Sequence, residues 1–72
     1  MSSTALSAKI AKMLLLKRGE LSRSDLAALP WIEDDKEIDL IISILRRNLN
    51  AEIKQRRIRS SIPEWEEIVV LR

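Results

Sequence analysis

The most regular hydrophobic pattern in the chain runs from Ile38 to Leu49, where Ile38, Ile41, Ile42, Leu45 and Leu49 recur at helical spacing. At about 100° per residue they share an arc of about 100°, the width of the core stripe on a surface helix. Leu40 and Ile44 fall one turn apart on the far side of that helix. Asp34 or Asp35 suits its N-cap, and the acidic residues that follow suit the positive end of the helix dipole. Upstream, Leu6, Ile10, Met13 and Leu14 follow the i, i+4, i+7, i+8 pattern of an amphipathic helix from about Ser3 to Arg18. Lys17 and Arg18 fit its negative end, and Gly19, the single glycine, fits the left-handed position after it.

Between these segments, Ser22 is followed three residues later by Asp25, a short relative of the capping box. Leu26 and Leu29 then share a face and Pro30 stops the run, which predicts a second helix of about two turns over Ser22–Leu29. The terminal run Ile68–Leu71 is β-branched and short, which favours a strand, and a lone strand leaves its backbone groups unpaired. Residues 51–59 are the available partner, joined to it by the loop SSIPE. Ile53 also continues the phase of the third helix, so a helix reaching about Arg57 with the tail packed across it is the alternative.

Length limits what such elements can do. A chain of 72 residues is one small domain, whose single core supplies roughly 3–5 kcal/mol. The apolar part of the first segment is far shorter than the ~18 residues of a transmembrane helix, and Lys9 and Lys12 interrupt its approach. No small-residue cleavage site follows it, so a soluble, cytoplasmic protein without membrane attachment is expected.

Charge changes the picture more than composition does. The net charge is only +2, but residues 1–23 carry +4, residues 33–39 carry −4, residues 46–59 carry +5 and residues 64–67 carry −3. Segregation on this scale makes patches, and patches steer partners. The acidic block EDDKEID is either a solvated, dipole-compatible first turn or a docking surface built from Asp34, Asp35, Glu37 and Asp39. The basic block KQRRIR either guards a strand edge or binds phosphate or carboxylate through Lys54, Arg56, Arg57 and Arg59, with Arg46 and Arg47 nearby. Leu40 and Ile44, flanked by Lys36, Ser43 and Arg47, are either covered by a neighbouring element or form an apolar anchor rimmed by charge. Trp31 and Trp65, the two aromatic residues, are read as core filling; an exposed Trp65 would be an interface hot spot.

The inventory is poor in catalytic chemistry. Histidine, cysteine and tyrosine are absent, so none of the eight serines has an imidazole to activate it, and thiolate or imidazole metal ligands do not exist. The acidic block lacks the alternating acids, glycine and later glutamate of a calcium loop. No enzyme activity, metal or cofactor is expected.

Three helices with a short second one and then a basic hairpin resemble the winged helix-turn-helix superfamily. KMLLLKRGELSRSDLAALPW matches the first helix, turn and second helix. DKEIDLIISILRRNL matches the third helix, and EIKQRRIR with EEIVVLR match the wing strands. The resemblance implies a mainly α (α+β) domain over residues 1–72, a three-helix core with a C-terminal β-hairpin wing. It also implies a third helix placed for the major groove and a wing against backbone phosphate. Carried over, Asp34, Asp35, Lys36, Asp39, Leu40 and Ser43 would face bases. The four acidic residues of the first turn and a half, Glu37 among them, repel a phosphate lattice, so docking on a protein is the expected mode. In size and class the chain is similar to small phage-encoded proteins that bind RNA polymerase. The expectation is a small non-enzymatic transcription regulator that docks on RNA polymerase or an associated factor through an acidic helix and a basic wing. Duplex DNA binding through the wing and first-helix cations is one alternative, and homo-oligomeric assembly through Leu40 and Ile44 is another.

Overall fold

The computed structural model describes residues 3–59, 62 and 64–72. It is an α+β chain of three helices and a three-stranded antiparallel sheet. The order is α1 (Ser3–Arg18), β1 (Glu20–Ser22), α2 (Arg23–Ala27), α3 (Asp35–Leu49), β2 (Glu52–Arg57) and β3 (Trp65–Val70). Its extents are 39 × 27 × 17 Å, and the shortest has room for one helical layer on one sheet.

Helix ends follow local chemistry. α1 stops where Gly19 turns to φ +85° and donates its N–H to the Leu15 carbonyl at 2.8 Å. A Cβ added there would meet nothing within 4 Å, so the backbone angle, not crowding, demands glycine. Ser22 caps α2 reciprocally: its hydroxyl accepts from the Asp25 N–H and the Asp25 carboxylate accepts from the Ser22 N–H, both at 3.0 Å. α2 is shorter than the expected Ser22–Leu29, ending at Ala27, because Pro30 disfavours helical geometry at Leu29 and the chain leaves through turns. Asp34 caps α3, accepting from the Glu37 N–H at 3.0 Å. Asn50 in the left-handed region, φ 55°, ends α3 and overturns the longer third helix; Ile53 lies in β2 instead.

β3 is the middle strand, with β1 on one side and β2 on the other. Ser22 lies opposite Ile68 in one pair, and Lys54 opposite Ile68 in the other. The terminal strand starts at Trp65, three residues earlier than Ile68, and β2 sits within the expected 51–59. Of the expected loop, Ser60, Ser61 and Pro63 lie outside the described residues. β1 was not expected as a sheet strand. Leu71 extends its pairing by donating to the Gly19 carbonyl at 2.8 Å.

The core joins Leu15 of α1, Leu21, Leu26, the α3 stripe Ile38, Ile41, Ile42 and Leu45, and Val69 of β3. Leu49 is half-buried at its end. α1 departs from the expected phase. Ser7, Ala8, Ala11 and Leu15 are buried, Ile10 and Leu14 are half-buried, and Leu6 and Met13 are exposed. The run Met13–Leu16 puts apolar side chains all around the helix, so size does not mark a face. The small residues do, since they let α1 approach the sheet and α3 closely. Both tryptophans, expected in the core, are 53% exposed. Trp31 follows Pro30 at φ 66° in the turn before α3, and Trp65 begins β3 beyond the end of the core.

Ser7 is fully buried and donates its hydroxyl to the Pro30 carbonyl at 2.5 Å, tying α1 to the turn before α3. Ser7→Ala removes that donor and adds no bulk. The expected loss is about 1–3 kcal/mol, read as a lower urea midpoint at unchanged m-value.

Candidate functional site

β1 and β3 run in register as far as Ser22 and Ile68, and continuing that register sets Arg23 opposite Glu67 and Ser24 opposite Glu66. There the chain turns into α2, and side chains take over from the ladder. The Glu66 carboxylate accepts from the Ser24 N–H at 3.1 Å and from its hydroxyl at 2.5 Å, satisfying an amide that the helix start leaves unpaired. Arg23 donates to Glu67 at 3.0 Å and lies 2.9 Å from Asp39 and 3.9 Å from Asp35. Burial, the largest influence on Arg23, works against its charge, but Asp39 and then Glu67 outweigh it and its pKa is raised. The Ser24 hydroxyl holds the Glu66 carboxyl below the ordinary carboxylate value, against desolvation.

This network closes one end of a cleft of about 690 Å³ between α2, the start of α3 and the β2–β3 hairpin. Ala27, Ile38, Ile58, Ile62 and Trp65 give it apolar surface; Asp35, Asp39, Glu66 and Glu67 supply carboxylates against one cation, Arg23. Ile62 is 99% exposed. An apolar cleft with a net-negative rim fits a partner that brings an apolar side chain among basic ones.

The expected acidic block is thereby divided. Asp34 is a cap, Asp35 and Asp39 belong to the cleft and pair with Arg23, and Glu37 is half-buried outside it. The basic block divides too: Arg57 faces away from Lys54 and Arg56, which share a face of β2 but meet different neighbours along it. Arg56 crosses the outer face of the sheet to pair with Glu20 of β1, passing over buried Ile68. Arg57 is opposite Trp65, and Arg59 lies exposed beyond the end of β2. Lys54 instead joins Ser43, Arg46, Arg47, Asn50 and Arg72 around a second cleft of about 750 Å³ at the far end of α3. Glu52 also lines it and accepts from Arg72 at 2.5 Å. Among the described residues Arg46, Arg47, Lys54, Arg57 and Arg59 enter no ion pair. The 15-residue α3, about 22 Å long, separates the two clefts.

Leu40 and Ile44 part company: Leu40 is 51% exposed, while Ile44 is half-buried against the core and lines a third cleft with α1. Arg23, Ile58, Ile62 and Arg72 were not anticipated from sequence. Arg23 left one signal, a cation in the first turn of a helix, where the dipole disfavours it unless carboxylates are near. Among the described residues no helix is long and apolar enough to cross a membrane. No family model, curated protein or solved structure matches this chain.

The Glu66 contact has a pH signature. A carboxylate with a depressed folded pKa adds stability above its unfolded value, near 4.5, and loses it as pH falls through the folded value. Ser24→Ala is therefore expected to be less stable than wild type at neutral pH, by less than about 1 kcal/mol at this exposed site. The gap should close as the pH drops below 4.5, followed by urea denaturation across the acid range.

Proposed function

We propose that this chain is a small, non-enzymatic regulator of winged helix-turn-helix type that acts by docking on a larger protein. The observation that carries the reading is Trp65, half-exposed on an apolar cleft wall beside Asp35, Asp39, Glu66 and Glu67. A large aromatic side chain left at the edge of a carboxylate-rimmed cleft is the anatomy of an interface anchor. Helix order, the capped second helix and the C-terminal hairpin support the winged-helix assignment. In that arrangement the start of α3, where a DNA-reading protein meets bases, carries carboxylates already engaged with Arg23. Small size, charge segregation and this helix order support RNA polymerase or a factor bound to it as the partner, with transcription as the process regulated.

A second reading rests on a different observation. Arg46, Arg47, Lys54 and Arg72 line one cleft and suit the phosphates of duplex DNA. Here log K is expected to fall with log salt by about 0.9 per phosphate contact, a slope of about 3 to 4 for these cations.

Capture from lysate of the native host, with and without nuclease, separates the readings. Wild-type protein is expected to retain RNA polymerase subunits, and Trp65→Ala to lose them, at a cost of about 2 kcal/mol or roughly 30-fold in Kd. Arg46→Glu with Arg47→Glu should retain them. The reverse pattern, or retention that depends on intact nucleic acid, selects the DNA reading.

A further inference from the structure

We infer that a separate face of the molecule, the cleft between α1 and α3, binds an acidic amphipathic helix of a partner protein. The cleft measures about 540 Å³ and is lined by Ala5, Ala8, Met13, Leu16 and Ile44, with Lys9 and Lys12 on the same stripe of α1. Its apolar character is exposed. Met13 is 64% and Leu16 59% accessible, and Leu40, one turn along α3 from Ile44, is 51% accessible. Large apolar side chains clustered in this way mark contact surfaces more often than chance exposure does.

The choice of occupant follows from shape, backbone chemistry and charge. Alanines at positions 5 and 8 leave the surface concave between two helices, whereas a bilayer surface is met by protruding side chains. Both walls are helices and offer no free strand edge, so an extended segment would leave its own amides unpaired. A helix arrives with its backbone satisfied. Two copies of this chain meeting here would oppose Lys9 and Lys12 to the same lysines, which disfavours self-association. Carboxylates flanking an apolar stripe complement that rim, and the flexible Met13 adapts to the side chains that enter. Occupancy here leaves the Trp65 cleft open, because the two share no lining residue. One molecule can therefore hold a basic partner segment at one face and an acidic helix at the other.

The probe is a cross-linked helical peptide carrying leucine on one face and glutamate on its flanks, titrated into isotope-labelled full-length protein. Amide shifts are expected at Lys9, Lys12, Met13, Leu16 and Ile44 but not at Ile58 or Trp65. Lys9→Glu with Lys12→Glu should weaken binding by about tenfold or more, since each attraction becomes a repulsion. The double variant changes one exposed and one half-buried side chain of α1, and circular dichroism checks that its helices persist. Equal binding of a lysine-flanked peptide of the same apolar face overturns the proposal, as does the absence of shifts with the acidic peptide. Concentration-dependent dimerisation abolished by Leu16→Glu would assign the cleft to a second copy. The same amides shifting with anionic vesicles but not with peptide would assign it to a membrane surface.

Discussion

β3 is hydrogen-bonded on both sides, and the rest of the structure depends on that placement. One neighbour, β2, is its hairpin partner, whereas the other, β1, is a three-residue strand between α1 and α2. Without β1 the hairpin would be a two-stranded ribbon, which is marginal in water. With it, the C-terminal strand is locked to the turn between the helices. Gly19 permits the junction: its left-handed angle ends α1, and its carbonyl receives the Leu71 N–H.

The candidate site is a consequence of that register. Because Ser22 pairs with Ile68, Glu66 and Glu67 arrive at the first residues of α2, one bonding Ser24 and the other Arg23. The same contacts set Trp65 across from the start of α3, with the carboxylate-rimmed cleft between them. Charge that looks segregated along the chain is thus partly consumed in the fold: Arg23 takes up Asp39 and Glu67, and Arg56 takes up Glu20. Among the described residues Arg46, Arg47 and Lys54 enter no ion pair, and they line the cleft at the opposite end of α3.

Local signals were legible where local chemistry decides. The span of α1, the Ser22–Asp25 box, an aspartate cap on α3 and the Ile38–Leu45 stripe follow from spacing and capping alone. Non-local outcomes were not. The three residues of β1 have no pattern of their own and become a strand only because β3 lies beside them. The buried face of α1 was hidden because serine and alanine, with Leu15 as the one large residue, define it. At the site, Asp35, Asp39 and Trp65 were visible as chemistry, but Arg23 was not, since its carboxylates come from two other elements. The basic block seemed one patch in sequence and splits because Arg57 faces away from Lys54 and Arg56, and because those two, on one face, meet different neighbours along β2. The proposed winged-helix order and the proposed docking role both rest on these placements, not on any single motif.

Cross-saturation transfer from unlabelled RNA polymerase to the isotope-labelled protein tests the docking claim most directly, because it reports which amides lie against the larger partner. The account predicts intensity loss at Ile58, Ile62 and Trp65, the hairpin wall of the cleft. Loss confined to Arg46, Arg47 and Lys54, or no loss anywhere at saturating polymerase, would contradict it.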